Sequence, residues 1–318
     1  MYGGALLGIA LLVFLAVRAD LAAMLHTLNL AGARLLWLLP YRMLYFLLYA
    51  IGWFALLRPY DSNRRAGLGY VLWVTSVREA VDRLLPVASV GGSFVGVRLL
   101  RWRGLPAAGA GATVIAEILL TLIVLYIFTA TGLLLLSDLG GTGHTYRGLL
   151  FGFLLSLPAP ALMVLVLRYG SVFQRMESFL RPMVGESAMS AGAASLDHEV
   201  RATLGRGWTL LFAGALQLVA VVSSSFEVWF AMRLFGHPVG VTAALVLESL
   251  TQAARHVAFI VPAGVGVQEA GLVLFGHLLG ISGELALAVS MAKRVREVLC
   301  GLPPLISWQW LEGRRVRS

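Results

Sequence analysis

Val261-Pro262-Ala263-Gly264-Val265-Gly266-Val267-Gln268-Glu269 interrupts an apolar run that hydropathy alone would draw as one membrane helix. Proline removes a backbone donor and glycine loosens the chain, so a helix does not run through this stretch unbroken. In lipid, backbone freed in this way must be buried in protein or line a wet cavity. A comparable break, Leu85-Pro86 through Gly91-Gly92-Ser93, lies 176 residues earlier. Two such breaks, one in each half, point to a midplane site of the kind transporters use. Pro86, Gly91, Gly92, Pro262, Gly264 and Gly266 are the expected hinge positions.

Composition sets the class. The chain has 318 residues, of which 59% are hydrophobic and 13% charged, and a mean hydropathy of +0.84. A soluble domain of this length needs far more charge to keep its surface wet, so the expectation is an integral membrane protein. The net charge of +9 does not indicate nucleic-acid binding. Its arginines gather at Arg58, Arg64 and Arg65, along 168–206, and at Arg314, Arg315 and Arg317, all flanking apolar spans. They read as topology signals and contacts to anionic lipid. Met1–Ile9 carries no basic residue, so the first apolar stretch is expected to be an uncleaved membrane helix.

Expected full spans are Tyr2–Val17, Leu35–Leu57, Ala110–Leu136, Gly148–Leu167, Gly207–Phe235 and Glu284–Trp310. Between them lie two pairs of shorter pieces, 67–85 with 87–102 and 241–261 with 263–280, each pair meeting at a proline. Each piece is too short to cross comfortably, a crossing needing roughly 20 apolar residues. The reading is an all-α polytopic membrane protein with about six full transmembrane helices and two Pro/Gly-broken re-entrant hairpins. It forms a single transmembrane domain over 1–318, with half-repeats at about 1–140 and 145–318 and a cytoplasmic connector at about 169–206. Arginine counts put 58–65, 168–206 and the C-terminal tail in the cytoplasm and 137–147 and 236–240 outside. The halves then have opposite orientation, an inverted repeat, although Arg18 and Arg34 pull the first loop toward the inside. An offset of 176 aligns Pro86 with Pro262, Gly104 with Gly280, Ser93 with Glu269 and Glu117 with Lys293. Apolar residues at helical spacing in 171–184 and around 21–28 fit amphipathic helices lying on the membrane, or loop helices packed on the bundle.

Ionisable groups inside spans are expensive, about 2.5–3.5 kcal/mol each at the bilayer centre, so each needs a reason. The last quarter holds Glu248, Arg255, His256, Glu269, Lys293, Arg294, Arg296 and Glu297; the first half holds Arg78, Glu79, Asp82, Arg83, Arg98 and Glu117. Mutual pairing is expected. The arm that starts near Pro262 directs its free N–H groups into the membrane interior, which suits a phosphate or carboxylate. Glu269 there is either a site residue or a helix cap. His256 is either a satisfied buried histidine or a proton relay. Lys293 and Glu297, four apart, are expected to neutralise each other. That leaves Arg294 as the better contact for a phosphate, which a guanidinium grips with two hydrogen bonds. Arg101 and Arg103 read as interfacial anchors. Arg255, His256, Glu269, Arg294, Arg78, Glu79 and Glu117 are the candidate groove residues, and Glu269 in the second break is the expected decisive carboxylate. No HExxH, Gly-x-Ser-x-Gly or Walker loop is present, and Cys300 is the only cysteine. No catalytic residue, metal or cofactor is therefore expected. The GxxxG runs Gly4–Gly8, Gly92–Gly96 and Gly148–Gly152 read as helix-packing positions.

Val261 to Glu269, the Gly280-Ile281 turn and Lys293-Arg294-Val295-Arg296-Glu297 resemble the lysylphosphatidylglycerol synthase transmembrane, flippase-like family. Arg255-His256-Val-Ala-Phe-Ile-Val-Pro262, with Trp308-Gln309-Trp310, is most similar to its hopanoid-biosynthesis-associated branch. The resemblance implies a bacterial inner-membrane protein, its C-terminus cytoplasmic, that moves a polar-headed lipid between leaflets. Implied partners are anionic phospholipid or hopanoid, and a second copy of the chain or proteins of lipid biosynthesis. The alternative reading is a non-transporting scaffold for lipid-synthesis enzymes; a third is an intramembrane enzyme with an acid–base pair near Glu269. Larger members carry an aminoacyl-transfer domain after the membrane part; with Ser318 as the last residue, lysyl transfer is not expected here. Ser93 also departs from the acidic residue the family often has after the first glycines.

Overall fold

The computed structural model describes residues 32–85, 91–139, 143–174, 190–258, 261 and 266–317. Pro86, Pro262 and Gly264, the span Tyr2–Val17, the loop stretch around 21–28 and most of 171–184 lie outside these residues. Among the described residues there are eleven α-helices and no strand. They are α1 (Leu38–Leu57), α2 (Leu68–Leu84), α3 (Gly91–Trp102), α4 (Ala107–Asp138), α5 (His144–Ser156), α6 (Pro158–Tyr169), α7 (Ser190–Leu204), α8 (Gly207–Leu234), α9 (Val241–Val257), α10 (Val267–Leu278) and α11 (Gly283–Arg317).

Among the described residues four stretches are long and apolar enough to cross a membrane: Gly32–Tyr60, Ala107–Asp138, His144–Tyr169 and Gly207–Leu234. They coincide with four of the six expected spans. The expected span 284–310 lies within α11, a helix of 35 residues and thus about 50 Å long. Lys293, Arg294, Arg296 and Glu297 lower its hydropathy.

The broken pieces form two helical pairs of matching size. α2 and α9 have 17 residues each, α3 and α10 have 12 each. At 1.5 Å per residue the short arms are about 18 Å long, well under a hydrocarbon core of about 30 Å. Both short arms end alike. Gly104 (φ +81°) and Gly280 (φ +71°) adopt the left-handed conformation that a helix C-terminus favours glycine for. After each, an amide closes back five residues: Leu105 N–H to Leu100 O at 3.4 Å, Ile281 N–H to Gly276 O at 2.9 Å.

Packing follows the same scheme in both halves. α2 lies on α3 and α9 on α10, α1 runs along α8, and the long arm of each pair packs on the last helix of the other half, α2 on α11 and α9 on α4. Glycines permit the closest approaches. A Cβ at Gly92 would stand 2.3 Å from the Arg78 carbonyl oxygen and one at Gly132 only 1.8 Å from Ser249 Oγ. Gly92–Gly96 is therefore a packing position inside the first pair, whereas Gly148 and Gly152 meet nothing within 4 Å.

Two apolar clusters result. One joins Leu38, Leu133, Val228, Leu247, Leu272 and Ala292; the other joins Ala50, Val74, Leu99, Val114, Ala213 and, at its edge, Leu305. Each long helix carries charged residues between the two: Arg42 on α1, Glu117 on α4, Glu227 on α8 and 293–297 on α11. The molecule is thus an apolar body with a charged layer across its middle.

Candidate functional site

A cavity of about 300 Å³ opens into this layer. Tyr45 and Tyr49 of α1, Arg78, Glu79, Asp82 and Arg83 of α2, Ser93 of α3, Glu117 and Thr121 of α4, and Arg255 and His256 of α9 line it. Helical spacing explains the α2 wall. Thr75, Arg78, Glu79, Asp82 and Arg83 recur at intervals of three and four, so one stripe of the helix faces the space.

Every strongly buried charge here has a partner, as the expense of an isolated ion in low dielectric requires. Arg78 Nη1 donates to Glu117 Oε2 at 2.6 Å, and the same guanidinium lies over the Trp53 ring at 4.3 Å. Arg42 donates to Glu79 and stacks over Tyr45 at 4.1 Å. Arg83 Nε donates to the same Glu79 oxygen at 2.9 Å. Glu297 is the hub beyond. Arg294, Arg255, Arg296 and Arg83 approach it at 3.3, 3.5, 3.7 and 3.9 Å. It thereby ties α2 of the first pair to α9 of the second through α11.

The second pair is sealed by side-chain hydrogen bonds. Gln268 accepts from Arg255 and donates to Ser290 Oγ at 3.0 Å, and Ser290 donates to Glu269 at 3.1 Å. Arg294 Nε donates to Glu269 at 3.0 Å. Lys293 donates to Glu248 at 2.6 Å and Arg296 to Glu227 at 2.9 Å, all four groups buried.

The structure brings Arg78, Glu79, Glu117, Arg255 and His256 to the cavity wall and sets Glu269 and Arg294 behind it. Glu269 is 1% exposed and directs its oxygens to Ser290 and Arg294, so among the described residues it caps no backbone amide. The carboxylate at a short-arm N-terminus belongs to the first pair instead and comes from the opposite arm: Asp82 Oδ1 accepts the Gly92 N–H at 2.8 Å. His256 is exposed, not buried, with Nδ1 2.8 Å from the Gln252 carbonyl oxygen. Lys293 and Glu297 do not pair with each other: Lys293 takes Glu248, and Glu297 takes arginines of α2, α9 and α11. Of the hinge positions described, Gly266 adopts φ +79° ahead of α10, and Gly91 and Gly92 form the first turn of α3. Arg42, Asp82 and Arg83 were not among the sequence candidates for the groove. The signal for Arg42 was a lone charge within Leu35–Leu57. For Asp82 and Arg83 it was their place on the stripe with Arg78 and Glu79.

Among the described residues no group of His, Cys, Asp and Glu is arranged to hold a metal ion. No curated protein and no solved structure matches the chain. The family model for the lysylphosphatidylglycerol synthase TM region matches residues 2–302, nearly the whole length. With its membrane-crossing helices and that match, the chain is a multi-pass membrane protein and belongs to the lysylphosphatidylglycerol synthase transmembrane-region family.

Proposed function

We propose that this protein is a lipid flippase-like transporter of the bacterial inner membrane, its C-terminus cytoplasmic. A polar headgroup passes through the charged cavity while the acyl or polycyclic tail stays in lipid. The observation that carries the reading is a cavity lined by arginines, carboxylates and tyrosines midway along otherwise apolar helices. A permanently polar space at that depth is costly to keep and marks a substrate path in membrane proteins. Its rim supports lateral entry of a lipid: Ile118 lines the cavity and is exposed, as are Phe94 beside Ser93 and Val257 beside His256.

The two short arms are read as re-entrant, and the matched lengths, turns and packing of the halves support an inverted repeat with the cavity at its centre. α11 is then a further crossing whose charges are neutralised inside the bundle. Arg78, Glu79, Glu117, Arg255 and His256 contact the headgroup; Glu269 and Arg294 hold the wall they stand behind. No catalysis is assigned. The candidate lipids are anionic phospholipids and hopanoids.

Dithionite quenching of fluorescent lipids in vesicles containing the purified protein tests the proposal. Accelerated leaflet exchange of at least one bacterial lipid is expected. Exchange at the protein-free rate across phospholipids and hopanoids overturns it and leaves the scaffold role.

A further inference from the structure

The ion pairs of the middle layer do not balance one to one. Arg78 has Glu117 and Lys293 has Glu248. Among the described residues the remaining guanidiniums, Arg42, Arg83, Arg255, Arg294 and Arg296, form their ion pairs with four carboxylates, Glu79, Glu227, Glu269 and Glu297. One cation is left over, and the carboxylate that balances it is Asp82. Yet among the described residues no Arg, Lys or His nitrogen stands within salt-bridge distance of Asp82, which faces the cavity and accepts the Gly92 N–H. Every other acid of the layer has such a partner.

The charge state of Asp82 therefore sets the charge of the whole layer. Ionised, it makes the layer neutral and presents a negative group to anything entering. Protonated, it leaves one positive charge beside the cavity, and such a charge in the membrane interior calls for a counter-ion. Around it stand Arg78, Glu79 and Arg83 on its own helix, Arg42 and Tyr45 on α1, Ser93 on α3 and Glu297 on α11. Glu117 on α4 and Arg255 and His256 on α9 complete the surroundings. Of these, His256 and the Tyr45 phenol are also titratable and without an ion pair among the described residues, as is Tyr49 beside them on the wall.

We propose that Asp82 is a proton-binding site and that the headgroup is anionic, a lipid phosphate entering the cavity together with one proton. The assignment rests on reading the cavity as a headgroup site. Binding linkage is reciprocal, so the anion favours the proton as much as the proton favours the anion. The joint step carries no net charge, so the distribution of the lipid follows a pH difference and ignores a membrane potential.

Vesicles with fluorescent phosphatidylglycerol, under an imposed pH difference or a potassium diffusion potential, test this. For the wild type the leaflet ratio is expected to shift with pH, up to about tenfold per unit for one proton, and not with potential. Asp82→Asn keeps the acceptor for Gly92 and fixes the neutral form, so its leaflet ratio is expected to respond to potential instead. A wild type that exchanges lipid without a pH response, or a response lost in His256→Gln and kept in Asp82→Asn, overturns the proposal. In detergent, binding of short-chain phosphatidylglycerol is expected to take up about one proton in the wild type and none in Asp82→Asn, by the linkage of proton and ligand. Binding without proton uptake overturns the proposal too. Proton-linked binding without exchange refutes transport alone.

Discussion

Glu297 shows at the scale of one residue why the middle layer holds together. Its carboxylate lies within 4 Å of Arg83, Arg255, Arg294 and Arg296, which come from three helices. Deleting one partner of a buried pair leaves the other charge uncompensated, at about 3–5 kcal/mol. Glu297→Gln is expected to lose stability on that scale, read as a large fall in the thermal unfolding midpoint in detergent. Glu312 is the contrast. Its partner Arg98 has a side chain 63% exposed, so solvent screens the pair. Glu312→Gln is expected to change stability by about 1 kcal/mol or less. Equal effects for the two variants contradict the idea that burial, not pairing, sets their importance.

At the scale of elements the hairpins are held by glycines whose roles spacing alone does not separate. Gly92–Gly96 and Gly148–Gly152 present the same motif, but a side chain at Gly92 collides with backbone and one at Gly148 meets open space. Gly92→Ala is expected to force α3 away from α2 and to destabilise by about 1–3 kcal/mol, as overpacking does. Gly148→Ala is expected to be neutral or stabilising by up to about 1 kcal/mol, the helix preference of alanine. Thermal unfolding of both measures the difference; a neutral Gly92→Ala refutes the packing. The same elements show what was legible in the sequence. Breaks at Pro86 and Pro262 divided the apolar runs into short pieces, because proline and glycine act locally on the chain. The source of the carboxylate at the first short arm was hidden. Offset comparison set Ser93 against Glu269, whereas Asp82 reaches Gly92 from the other arm, a contact made only by folding. Which acid met which base was hidden for the same reason: Lys293 has Glu297 one turn away but finds Glu248 on another helix.

Across the whole molecule the four apolar spans were readable from hydropathy, since length and composition decide crossing. The expected span 284–310 falls in α11, which is not among those four stretches, and the charges that lower its hydropathy are paired with buried carboxylates. A groove near the breaks was expected from the sequence, but the make-up of its wall was not readable, because it depends on tertiary packing: it comes mainly from α1, α2 and α4, with the ends of α3 and α9. If a headgroup passes through this space, blocking it stops lipid exchange. Ser93 lines the cavity, and the native Cys300 is buried elsewhere in α11, so Ser93→Cys in a Cys300→Ala background places a thiol where a reagent can plug the path. The most direct measurement is lipid exchange in the same vesicles before and after modification by a bulky methanethiosulfonate. Exchange is expected to fall to the protein-free rate and to return on reduction. Complete modification with exchange unchanged contradicts passage of the headgroup through the cavity.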